Sequence, residues 1–269
     1  MIKRDTWYVI RRVTSVLVIL FTTYHVSLTT VHAEDNLAQQ AQSAWQERDK
    51  PGQTEKAIQL WEEAVTADPA RADLWTALAK AMGRDVRHAK TAKERSQWAE
   101  RARDAAAKAI AKDPKSSDAY AVYGEALGQW ANTHKGVHSL KAVSDAVEAL
   151  KLAVALKPEN AYAHMLLASF YREAPGVISV GDKAKAYEEA KLAILYGPQY
   201  AINHLVLARV ELDRGEKDEA IKELQLTIAL PPPADAVPET RADQDSAQKQ
   251  LQELGITPAC GQEGGFCSE

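Results

Sequence analysis

The sequence predicts an all-α fold of tandem helical hairpins, and three observations carry that prediction. Ala, Leu, Glu, Lys and Gln dominate the chain after residue 35, and these side chains lose little on entering a helix. Runs of Thr, Val and Ile are rare there, so no stretch reads as a buried strand. Five segments share one rhythm of small residues every three or four positions and close on proline. They are "KAIQLWEEAVTADP" (56–69), "RARDAAAKAIAKDP" (101–114), "DAVEALKLAVALKP" (145–158), "KAYEEAKLAILYGP" (185–198) and "EAIKELQLTIALPP" (219–232). Self-similarity of this kind marks an array of stacked units, each burying its apolar face on its neighbours.

The elements follow in order along the chain. Residues 1–33 have the three-part build of a secretory leader: Lys3, Arg4, Arg11 and Arg12, an apolar stretch from about Val13 to Val26, then small residues at Val31 and Ala33. Cleavage is expected after Ala33, placing the chain in the periplasm or outside the cell; retention as an anchor is the alternative. Removal of the leader takes four basic groups and one acid and turns a net charge of −4 into −7. The helical repeat domain is expected over 34–255. A few residues after each proline a new helix is expected to begin, in "DLWTALAKAM", "DAYAVYGEAL", "AYAHMLLASFY" and "AINHLVLARVEL". A proline-rich turn, "LPPPADAVPE", leads into a closing helix, and 256–269 reads as a flexible tail. The tail holds both cysteines, Cys260 and Cys267, and an even count in an exported chain favours a bridge between them; an intermolecular disulfide or free thiols remain open.

Spacing separates the hairpins. His204 to Pro232 is 28 residues, His164 to Pro198 is 34, Tyr120 to Pro158 is 38 and Trp75 to Pro114 is 39. The additional residues are read as lengthened turns within three successive hairpins, "REAPGVISVGDK" among them. Gly176 and Gly181 followed by Asp182 and Lys183 superficially match a phosphate-binding loop. No strand precedes them, the lysine is one place late and Ala184 stands where Ser or Thr belongs, so that reading is rejected.

The pattern resembles the tetratricopeptide repeat (TPR) over about residues 37 to 234. Trp75 and Leu78, Tyr120 and Gly124, and Leu167 and Tyr171 match its first helix, while His164 and His204 stand where tryptophan is usual. The Ala-Pro-Gly and Gly-Asp-Lys turn and the proline-rich ending are similar to exported bacterial repeat proteins related to the T component of TRAP-type transporters. That likeness implies a subunit partnering a periplasmic solute-binding protein. The chain is similar also to the repeat domain of the microtubule-dynamics regulators, a role that an exported chain would not meet.

No acid, base and nucleophile converge in the sequence, so the chain is not expected to be an enzyme, and no cofactor or metal is expected. His134 and His138 are separated by Gly136 in a turn rather than aligned on one helix. No basic block marks a nucleic-acid surface. In such arrays the first helix of each hairpin lines a concave face, and helical spacing places there Lys80, Arg84, Glu125, Gln129, Tyr162, Met165, Ser169, Arg172, Leu205 and Arg209. Tyr162, Met165 and Leu205 would form an apolar patch, with Ser169, Arg172 and Arg209 holding a carboxylate or a peptide backbone. The expected task is to bind a protein or peptide, with a passage for a small organic ligand as its sharper form. The alternative is a structural scaffold in envelope or secretion assembly.

Overall fold

A computed structural model describes residues 35–175 and 180–256. The expected leader, its cleavage after Ala33, and the Cys260 and Cys267 pair lie outside the described residues, as does Gly176 of the long turn. Among the described residues every regular element is a helix. Helix α1 covers 35–46. It is followed by α2 (Gln53–Ala67), α3 (Ala72–His88), α4 (Ala92–Lys112), α5 (Ser117–Thr133) and α6 (Val137–Leu156). The second half of the array holds α7 (Ala161–Glu173), α8 (Lys183–Tyr196), α9 (Ala201–Arg214), α10 (Lys217–Ala229) and α11 (Val237–Glu253). These are five antiparallel hairpins and a closing helix, as the sequence predicts.

The closing prolines end their helices because the residue before a proline is pushed out of the helical region. Asp68, Asp113 and Lys157 all leave helical geometry there. New helices are opened by side-chain caps, with Thr91 and Glu94 forming a reciprocal capping box and Ser116, Asn160 and Asp182 each accepting from a first-turn amide. Alanines carry the close crossings: Ala57, Ala64, Ala102, Ala106, Ala146, Ala153, Ala186, Ala190 and Ala193 are all fully buried. Leu78, Leu150, Leu167, Leu205 and Leu224 fill the spaces between hairpins.

The additional residues do not form lengthened turns in all three hairpins. In the second and third hairpins the turns are short, 89–91 and 134–136, and the extra residues extend the helices instead. Helices α4 and α6 reach 21 and 20 residues against 13 in α10. Adding turns to both partners of a hairpin preserves their contact and buries more alanine, so helix is the cheaper place for an insertion. Between α7 and α8 residues 174, 175 and 180–182 are described and are not helical, and the backbone of Asp182 donates to the carbonyl of Tyr171 at 2.8 Å.

The first helices α3, α5, α7 and α9 contact one another in sequence along one face, and α11 joins them by packing on α9 and α10. Ala247 and Leu251 of α11 sit in a cluster with Leu205, Ala208, Ala220 and Leu224. Two glycines of α5 permit close approaches, Gly124 to its hairpin partner α6 and Gly128 to α7. A Cβ on Gly124 would lie 2.7 Å from Leu150, and one on Gly128 would lie 2.4 Å from Phe170.

Candidate functional site

The inward face of α3, α5, α7 and α9 was expected to be an open binding groove. The structure instead pairs most of its polar groups with one another. Arg84 is buried and donates from Nη1 to Glu239 of α11 at 2.5 Å. Arg48, in the turn after α1, also grips Glu239: Nε donates at 2.9 Å, Nη2 takes the other carboxylate oxygen, and Nη2 donates to the carbonyl of Asp235 at 2.6 Å. Burial pushes the Glu239 carboxyl up, but the hydrogen bond and charge of Arg48, with Arg84 behind it, hold it below its ordinary value. The last helix thus ties back to the first two hairpins through one carboxylate.

Glu125 anchors a second cluster. Arg87 pairs with it at 2.8 Å, the Tyr162 hydroxyl donates to it at 2.6 Å and Gln129 donates at 3.1 Å. Burial, with Glu125 alongside, pushes the Tyr162 phenol well above its ordinary value. Gln129 also donates to the carbonyl of Gly83, and its own amide oxygen is buried without a hydrogen-bond partner among the described residues. Arg172 divides its guanidinium between Glu173 at 2.9 Å and Asp213 at 3.2 Å. Arg209 donates to Ser246 of α11 at 2.8 Å, and Ser169 donates back to the carbonyl of Met165 at 3.1 Å. Asp243 of α11 lies close to Arg209, and burial pushes its carboxyl up to about 7.

Two candidates are misplaced by the helical spacing. Leu205 is 1% exposed and belongs to the core that α9 shares with α10 and α11. Met165 is likewise buried, against α8 and α9, so the expected apolar patch with Tyr162 does not form. The burial of Leu205 follows from α11, which turns what would be the end of a groove into an interior, whereas Met165 is covered by its own hairpin partner and the next hairpin.

Lys80 alone among the ten candidates lines a concavity that is open among the described residues. It is a cleft of about 460 Å³ bounded by Gln42, Trp45, Gln46, Trp61, Ala77, Lys80 and the 234–235 turn. Trp45 and Trp61 form its floor, their rings 5.8 Å apart and tilted, with the Arg48 guanidinium 4.6 Å above Trp45. Lys80 is exposed on the rim, and Asp235 opposite accepts from the Tyr200 hydroxyl. Sequence reasoning missed Arg48, Glu239 and the two tryptophans. The first hairpin carries few signature residues and so offers no register, and α11 reads only as a cap.

Elsewhere the histidines flagged by their spacing are accounted for. His134 stacks on Trp130 at 3.9 Å and faces the carbonyl of Trp130, while His138 is exposed beyond the Gly136 turn. Among the described residues no group of three or more His, Cys, Asp or Glu is placed to hold a metal, and no helix is long and apolar enough to cross a membrane.

The family described as regulator of microtubule dynamics protein 1-3 matches residues 37–255, from α1 to the end of α11. The chain belongs to that family. Among solved structures, a thermophilic TPR protein of Thermus thermophilus is similar at 18% identity and a TM-score of 0.62, over 80% of this chain and 99% of that one. PilF of Pseudomonas aeruginosa is similar at 20% identity and a TM-score of 0.52, over 84% and 93%. Both likenesses establish the TPR fold of this member of the family. No curated protein sequence is significantly similar to it.

Proposed function

We propose that the chain is an exported, non-catalytic docking module whose partner is a periplasmic solute-binding protein, seated at the cleft between α1, α2, α3 and the 234–235 turn. The observation that carries this reading is the state of the cations. Arg48, Arg84, Arg87 and Arg172 are held by carboxylates of the chain itself, whereas Lys80 is exposed and lines the cleft together with Trp45 and Trp61. A partner segment bearing a carboxylate beside an apolar side chain fits that pairing, the one meeting Lys80 and the other lying on Trp45 and Trp61. The leader read in residues 1–33 supplies the compartment, and the resemblance to TRAP-associated repeat proteins supplies the class of partner. The family's name ties its members to microtubule dynamics; export would keep this chain away from microtubules, and that role is not carried over.

The test is a crosslinked capture from native periplasm with residues 34–269, wild type against Lys80→Glu, read by mass spectrometry. Enrichment of one solute-binding protein by the wild type, lost in the variant, is the expected result. Equal capture by both would remove the cleft from the docking site. A second reading, a scaffold in envelope or secretion assembly, is favoured by Leu152, Leu195 and Leu226, which stand between 46% and 66% exposed on the second helices of three successive hairpins. Capture of envelope or secretion components in place of a solute-binding protein would favour that scaffold.

A further inference from the structure

His164 and His204 stand at one repeat position, each four residues into the first helix of its hairpin. Both are buried, 5% and 8% exposed. In each the Nε2 atom faces the carbonyl of the proline six residues earlier, Pro158 at 2.8 Å and Pro198 at 3.1 Å. In each the Nδ1 atom faces a carboxylate of the second helix, Glu189 at 2.6 Å and Glu223 at 2.7 Å. A carbonyl and a carboxylate both accept, so two such hydrogen bonds need two protons, and a neutral imidazole carries one.

The arrangement is also written into the repeat. Glutamate stands nine residues before the closing proline in these two hairpins, Glu189 before Pro198 and Glu223 before Pro232. The hairpins that begin with Trp75 and Tyr120 have Ala105 and Ala149 there. Trp75 makes the proline contact with a proton that does not titrate, its Nε1 donating to the carbonyl of Pro69 at 3.1 Å. Small ring with acid and large ring with alanine are thus two fillings of one site.

We propose that His164 with Glu189 and His204 with Glu223 are proton-holding clasps, each binding one proton more than a neutral imidazole and a carboxylate would, and that loss of this proton as pH rises loosens the turns joining the third, fourth and fifth hairpins. A neutral ring must aim a lone pair at one of its two acceptors, breaking either the tie to the turn or the tie to the second helix. The proton lies in the contact between Nδ1 and the carboxylate, so it ties the first helix to the second. Burial opposes charge on both rings, but the glutamate hydrogen bond, the proline carbonyl and the carboxylate charge outweigh it and raise both above the ordinary histidine value. Glu189 is the one charged group acting on His164, whose other neighbour is the stacked Tyr196 ring at 5.6 Å. Glu223 is the one acting on His204, and Glu223 in turn faces Glu211 of α9. A group raised on folding contributes stability that is complete below its unfolded pKa and is lost as pH rises through its folded one.

The experiment is a pH titration of the full chain by NMR of the imidazole carbons, with amide exchange over 157–160 and 197–200 corrected for its intrinsic pH dependence. Both buried rings should titrate above an ordinary histidine, and exchange in the two turns should quicken about tenfold between about pH 5.5 and about pH 8.5. The double substitutions His164→Trp with Glu189→Ala and His204→Trp with Glu223→Ala copy the chain's own Trp75 and Ala105 and should abolish that quickening. Glu189→Gln and Glu223→Gln keep an acceptor for Nδ1 while removing the charge, and should lower the ring titration even if the tryptophan variants fail to fold. Rings that titrate at or below the ordinary value, or turns that respond to pH equally in the wild type and a folded tryptophan variant, would overturn the proposal.

Discussion

The second hairpin and the fourth and fifth meet the same packing demand with different chemistry. All three place an aromatic ring with an N–H aimed at the carbonyl of a closing proline. In the second, an indole does this with the Lys108 ammonium 4.4 Å over its ring. In the other two, an imidazole does it with a carboxylate on its other nitrogen. In these three hairpins the position holds a flat ring with one donor, and the choice of ring decides whether the junction responds to pH. The contrast extends beyond the junctions. The arginine contacts of α3 hold their charge at any physiological pH, whereas α9 and α11 bear carboxyls near neutrality: Glu211 is pushed to about 7 by burial and by Glu223, and Asp243 to about 7 by burial. Asp85, which burial pushes to about 6, is the exception in the first half.

The sharpest way to break this comparison is to sever the two halves. Glu239 is the carboxylate from α11 that both Arg48 and Arg84 hold, and the Arg48 side chain is 2% exposed. Glu239→Ala leaves two buried guanidiniums without their partner and should cost about 3 kcal/mol in urea unfolding. Amide exchange should rise in the first turns of α11 while α4 and α6 keep their protection. A loss below about 0.5 kcal/mol would mean that apolar packing of Leu251 and Ala247 alone seats the last helix.

The border between the halves gives a smaller effect. Gly128 of α5 lies against Phe170 of α7, where a Cβ would stand 2.4 Å from the ring. Gly128→Ala should cost about 2 kcal/mol by overpacking, and Phe170→Leu in the same chain should recover part of it. A neutral outcome for the single substitution would show that α5 and α7 can part without loss.

Next comes the pH profile of thermal stability. Glu211 and Asp243 bind protons more tightly folded than unfolded, so stability falls as pH rises from the ordinary carboxylate range towards 7, and the two histidine clasps extend the fall above that. Glu239 and Asp73 have the opposite sign, being held low by arginines, and their contribution is lost on acidification. Stability should peak near about pH 5 and decline by on the order of 2 kcal/mol by about pH 8. Glu211→Gln should flatten the middle of that decline; a profile level from pH 5 to pH 8 in the wild type would contradict the whole assignment.

The array itself was legible because its cause is local. Alanines at helical spacing and prolines after them dictate hairpins whatever surrounds them, and the closing helix was visible behind "PPPADA". The length differences were visible too, but their placement was misread. Thr91 and Glu94 form a capping box readable in "TAKE", and that pattern starts α4 at once rather than after a long turn. The binding face was the least legible part. Spacing within α9 puts Leu205 on an inward stripe, yet what that stripe meets is set by α11, more than thirty residues away in sequence. The same distance hid Arg48, whose partner Glu239 is 191 residues on. The repeat pattern makes the histidines substitutes for tryptophan, and their proline contacts agree; the carboxylates that set them apart belong to a different helix.

The smallest effect reverses the comparison. Trp75→His puts an imidazole where the chain supplies no glutamate, since Ala105 stands at the position of Glu189 and Glu223 and Lys108 lies over the ring. The ring should donate its one proton to Pro69 and stay neutral, because a cation beside it and burial both oppose a second. The expected cost is about 1 kcal/mol of lost contact area, independent of pH between about pH 6 and about pH 8. Adding Ala105→Glu should lend the second hairpin the pH response of the other two. If Trp75→His alone already titrated above an ordinary histidine, the proline carbonyl would suffice to charge the ring, and the glutamates would be needed only to fill space.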